Sequence, residues 1–164
     1  MSFSLGLVMS AAVGIAAGLF ASFAMNTFQA ICAAFDRTES RGGDRPEPAT
    51  IKVAAAAFRM VSGKAIPQAM RPLAGNAVHY SLGAALGVIY ACIAAYVPLI
   101  TIGAGSIYAV AIWLVLDEGA LPALGFGDKW TSVPVGTHCY GLVSHLVFGV
   151  SLEGARRLFI AALG

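Results

Sequence analysis

The feature that most constrains this chain is the absence of charge over long distances. No Asp, Glu, Lys or Arg occurs from Met1 to Phe35, over the 45 residues from Pro72 to Leu116, or over the 23 residues from Trp130 to Leu152. Such stretches suit no water-soluble core, but they match the roughly 20 apolar residues that a helix needs to cross the ~30 Å hydrocarbon of a bilayer. Eleven of the 18 charged residues crowd instead between Asp36 and Arg71. Composition agrees: 59% of the 164 residues are hydrophobic and 11% charged, with a mean hydropathy of +0.81, against about 25% charge in a soluble domain. Low charge with abundant Ala, Val, Ile and Leu excludes a disordered tail. Ten Lys/Arg against eight Asp/Glu leave no basic face for nucleic acid. The expected partner is the lipid bilayer.

The 72–116 stretch must hold most of two spans. Between them Tyr96 to Gly105 supplies Pro98, Gly103 and Gly105, which break helix and form a short hairpin. The expectation is one all-α domain over 1–164: a bundle of four transmembrane helices near 5–34, 72–97, 104–125 and 136–159. A cleaved leader is the competing reading of the N-terminus. It fits poorly, because there is no basic n-region and the apolar run far exceeds the 7–15 residues of a leader core. Cys32, Cys92 and Cys139 lie in or beside spans, where a thiol packs as a small apolar group, so free thiols are expected.

The polar segment 36–71 opens as a solvated loop, Asp36 to Pro48, and becomes helical and Ala-rich from Ala49 to about Gly63, with Lys52 and Arg59 on one face. At this length it is too short to span, and it reads either as an amphipathic helix in the membrane interface or as a helix capping the bundle from outside. Seven Lys/Arg in this segment and Lys129 after helix three stand against Arg156 and Arg157 on the other side. That count places both loops in the cytoplasm; the Arg156–Arg157 pair would serve as an anchor for the reverse orientation.

Small residues recur every four positions. Helix one carries Gly6, Ser10, Gly14, Gly18 and Ser22 and ends in Asn26; helix two carries Gly75, His79, Gly83, Gly87, Ala91 and Ala95. Helix three has Gly105, Ala109, Trp113 and Asp117, and helix four has Gly141, His145, Gly149, Glu153 and Arg157. Lipid offers little hydrophobic drive for helix association, so close approach along such ridges must supply it. Gly14, Gly18, Gly83, Gly87 and Gly149 are therefore candidate packing positions.

The polar residues sit on the same ridges. Counted from the helix ends at 1.5 Å per residue, Asn26, His79, Asp117 and His145 all come out roughly 10–15 Å deep from one membrane surface. His138 lies two turns nearer that surface on the face of His145, and Glu118 sits beside Asp117 but about 100° round the helix. These six residues are the candidate site for protons or ions. An acid at a span centre costs about 2.5–3.5 kcal/mol on the insertion scale and needs partners, protonation or water. Pro122 cannot accommodate the normal bond to the Glu118 carbonyl, and Gly119 loosens the same turn, an arrangement that resembles the broken helices of transporter ion sites. The same layer read as a register-holding network is the structural alternative. His138 and His145, about 10 Å apart along the axis, are too far apart to share a metal unaided, so whether a metal binds stays open. Bis-His haem ligation by His79 and His145 has only depth in its favour, and no cofactor is implied. Glu153 with Arg156 and Arg157 reads as an interfacial ion pair. No nucleophile motif, phosphate loop, CxxC or HExxH occurs, which makes an enzyme the least supported class.

The segments Ala24–Gln29, Val78–Gly83, Trp113–Gly125, Ser144–Gly149 and Glu153–Arg157, together with His138, resemble the YagU-like family of small membrane proteins of unknown function. That resemblance implies a multi-pass bacterial inner-membrane protein and supplies no reaction or substrate. Two functional classes follow: a proton- or cation-handling protein, and a non-catalytic structural or assembly subunit with a homo-oligomeric or membrane-protein partner. Water access to the polar layer separates them.

Overall fold

The structure, a computed structural model, describes residues 3–35 and 47–163, with side chains from Gly6 onward; the charged opening of the polar loop, 36–46, lies outside the described residues. Among the described residues five helices follow one another: α1 (Phe3–Phe35), α2 (Ala49–Ser62), α3 (Arg71–Tyr96), α4 (Ser106–Ala123) and α5 (Val135–Leu163). Short 3-10 turns at Gln68–Met70, Pro98–Thr101 and Trp130–Ser132 join them, and no strand occurs among the described residues. The chain is all-helical, as expected. Among the described residues three helices are long and apolar enough to cross a membrane: α1, α3 with the turn before it, and α4. The expected fourth span coincides with α5, which at 29 residues has the length. Its two histidines and the Glu153, Arg156 and Arg157 group make it less apolar than the other three.

Packing follows the small-residue ridges. Helix α1 lies against both α3 and α5, α2 covers the start of α3, and α4 rests mainly on α5. Between α1 and α3 the backbones nearly touch: a Cβ on Gly14 would come 2.5 Å from the Gly87 carbonyl oxygen, and one on Gly83 would fall on Ser22 Oγ. Between α4 and α5 a Cβ on Gly149 would stand 2.5 Å from the Gly105 carbonyl oxygen and 2.6 Å from Ala109 Cβ. Gly105 is doubly constrained, with φ +84° at the end of the hairpin turn and its α-hydrogen facing the Gly149 carbonyl.

The ridges drift where a strict four-residue spacing outruns the 3.6-residue turn. Gly6 meets nothing within 4 Å, and on α3 the buried positions after Gly87 are Tyr90, Ala91 and Ala94, while Ala95 is exposed. The core gathers Ala17, Ala21, Met25, Tyr90, Ile112, Phe148, Leu152 and Ala155. Outside the ridges, Leu19, Phe20, Phe23, Leu73, Leu114, Val115 and Val150 are exposed, more apolar surface than a water-soluble monomer presents and the kind that lipid covers.

Helix α4 is not uniform. Its middle, Trp113–Ala120, is a π-helix in which the Leu121 N–H bonds to the Leu116 carbonyl, five residues back. Pro122 explains the position, since its ring removes the α-helical bond to Glu118 and a wider turn restores bonding around the gap. No residue of this π segment is buried.

Candidate functional site

Near the hairpin, α3 and α4 touch: Tyr108 Oη donates to the Leu86 carbonyl at 2.8 Å, and its ring lies 4.9 Å from that of Tyr90. Toward the other end they separate, and the space between α1, α3, α4 and α5 is a cleft of about 1290 Å³. Asn26, His79, Asp117, Glu118, His138 and His145, the six residues expected to form a polar layer, all line it.

They do not form one cluster. Asp117 Oδ2 stands 3.7 Å from His145 Nδ1, longer than a hydrogen bond, while that nitrogen donates to the Gly141 carbonyl at 2.9 Å. Because a carbonyl only accepts, Nδ1 carries the hydrogen and faces Asp117 as well. Glu118 Oε1 takes a 2.7 Å contact from His138 Nδ1, and His138 Nε2 lies 3.0 Å from the Trp130 carbonyl oxygen. Both ring nitrogens of His138 thus face acceptors, the arrangement that suits a doubly protonated imidazolium beside a carboxylate. Adjacent acids on the π turn reach imidazoles two helical turns apart on α5, so Glu118, expected about 100° round the helix from Asp117, has its own partner.

His79 stands on the opposite wall, where Nε2 donates to the Ser22 carbonyl at 3.4 Å. No hydrogen bond or ion pair joins it to Asp117 among the described residues. Ser22 Oγ, fully buried on the same wall, has no hydrogen-bond partner among them. The Asp117 side chain is 37% exposed, open to the cleft, whereas Glu118 is 14% exposed. Among the described residues no three of His, Cys, Asp and Glu converge to hold a metal ion.

A second polar centre lies beyond the core. Glu153 is 1% exposed and accepts four hydrogen bonds: from Tyr90 Oη at 3.0 Å, from Arg156 Nε and its terminal nitrogen at 2.6 and 2.9 Å, and from Arg157 Nε at 2.6 Å. The ion pair expected there is present, but Glu153 is inside the bundle and not at its surface. Tyr90, which ties this centre to α3, carried a signal in the sequence: it lies seven residues after Gly83, on the ridge face.

No curated protein and no solved structure matches the chain. A family described as "Protein of unknown function (DUF1440)" matches residues 37–154. The matched stretch takes in His79, Tyr90, both acids of the π turn, His138, His145 and Glu153, and leaves out α1. With most of its length matched, including three walls of the cleft, the chain belongs to the DUF1440 family.

Proposed function

We propose that the chain is a multi-pass protein of a bacterial inner membrane, with α1, α3, α4 and α5 as four spans and α2 in the interface, and that it takes protons or cations into the α4 cleft. The carrying observation is that two carboxylate–imidazole pairs line one cleft, with the Asp117 carboxylate open to it and His145 buried behind. A network that only holds register gains nothing from an exposed carboxylate and a volume large enough for water. A cation entering the cleft competes with the imidazoles for the same carboxylate oxygens, so its binding and the release of a proton are linked. Glu118 with His138 stores the proton; Asp117, the more open acid, meets the ion first.

In reconstituted vesicles the wild-type chain should carry flux above empty vesicles for at least one of protons, monovalent or divalent cations. Asp117→Asn should abolish it and leave the fold intact, since Asn keeps size and hydrogen bonding. A silent wild type across that panel, with Asp117→Asn altering stability alone, would favour the assembly-subunit reading. The four-span topology has its own test. Single cysteines at Lys64 and Ser132, in a background without Cys32, Cys92 and Cys139, should label from the same membrane face, the cytoplasmic one by the Lys/Arg count. Labelling from opposite faces would remove α3 or α4 as a span.

A further inference from the structure

We propose that the groove between α2 and the start of α3 is a headgroup site for an anionic phospholipid, an inference that rests on the membrane reading above but not on the cleft. The groove, about 520 Å³, is lined by Glu47, Lys52, Ala55, Ala56, Arg59 and Arg71 among others. Its back wall is internally neutral: Arg71 donates from Nε and a terminal nitrogen to both Glu47 carboxylate oxygens, at 2.9 and 2.7 Å. Lys52 and Arg59 are different. They sit two turns apart on one face of α2, and no acid pairs with either among the described residues. Ala55 and Ala56 between them leave the floor low, so two cations with no acid partner among the described residues flank a depression with room for a phosphate.

Depth selects the source of that phosphate. Arg71 is near the start of Gln68–Tyr96, a segment long and apolar enough to cross the membrane, so the groove lies where that segment leaves the hydrocarbon and headgroups begin. Beside Arg59, Met60 and Val61 are 85% and 89% exposed, apolar side chains suited to acyl chains and useless to a free anion. Lys64, further along, carries its charge outside the groove and serves as the comparison.

The test uses the full chain extracted from vesicles of phosphatidylcholine and phosphatidylglycerol, with retained lipid measured by native mass spectrometry. Phosphatidylglycerol should be retained over phosphatidylcholine. The double variant Lys52→Gln with Arg59→Gln should lose about 25-fold in apparent affinity for it, since each basic side chain at an anionic surface contributes about fivefold. Lys52→Arg with Arg59→Lys should keep it, and Lys64→Gln should change it less than about twofold. Equal loss with Lys64→Gln would reduce the groove to a diffuse field and overturn the site. Equally tight binding of inorganic phosphate alone would overturn the lipid assignment. A chain that leaves the vesicles on alkaline washing would overturn the membrane reading itself, a result distinct from loss of headgroup selectivity.

Discussion

Gly18→Ala should destabilise the folded chain, and Gly154→Ala, the same chemical change in a helix of similar length, should stabilise it. A Cβ on Gly18 meets backbone, standing 2.9 Å from the Gly83 carbonyl carbon and 3.0 Å from Ala84 Cα, whereas one on Gly154 meets nothing within 4 Å. Replacing a mid-helix glycine by alanine contributes about 1 kcal/mol through backbone entropy alone, and Gly154→Ala keeps that gain. At Gly18 the gain is outweighed, because α1 and α3 must move apart along the whole ridge. Overpacking costs about 1–3 kcal/mol where side chains can yield, and here the opposing group is main chain that cannot. Gly18→Leu should leave no monodisperse folded protein, while Ala16→Leu, on an exposed position of the same helix, should behave as wild type. Thermal or denaturant unfolding in detergent reads the two alanine variants and Ala16→Leu, and size-exclusion chromatography reads Gly18→Leu; shifts of the same sign for the two alanine variants would show that the ridge is not the contact.

The second large effect is expected at Glu153→Gln. Glutamine preserves shape and retains an acceptor for Tyr90, yet it removes the countercharge of Arg156, whose side chain is only 15% exposed. Removing one partner of a buried pair costs about 3–5 kcal/mol because the other charge is left uncompensated. Arg157→Gln is the contrast: that side chain is 63% exposed, and its loss should cost under about 1 kcal/mol. Adding Arg156→Gln to Glu153→Gln should recover part of the loss, since the two act as one unit. Equal effects of Glu153→Gln and Arg157→Gln would mean that water reaches the carboxylate.

What was legible in the sequence is what depends on local order. Charge gaps located α1, α3, α4 and α5 to within a few residues, because expulsion of charge from an apolar stretch is a property of the stretch itself. Depth matching brought Asp117 to His145, because antiparallel helices of known rise fix relative height. The pairing of Glu118 with His138 was not legible: an α-helical wheel sets Glu118 about 100° from Asp117, and the π turn that changes this spacing has no local marker but Pro122. Glu153 was misplaced for a simpler reason. Helix α5 runs to Leu163, which puts Glu153 about 15 Å inside its end and not beside the 136–159 boundary. The cleft itself had no signature, since a gap between helices belongs to no residue in particular.

The π turn of α4 also bears on how the chain is made. Ribosomal synthesis delivers Asp117 and Glu118 before His138 and His145 exist, so an α4 released alone would enter lipid with two carboxylates and no counter-group. On the four-span reading, α4 and α5 are therefore best admitted together as a hairpin, each masking the polar atoms of the other. On that same reading, the two acids that mark the cleft would tie α4 to α5 during synthesis, the least apolar pair of helices waiting for its own second half.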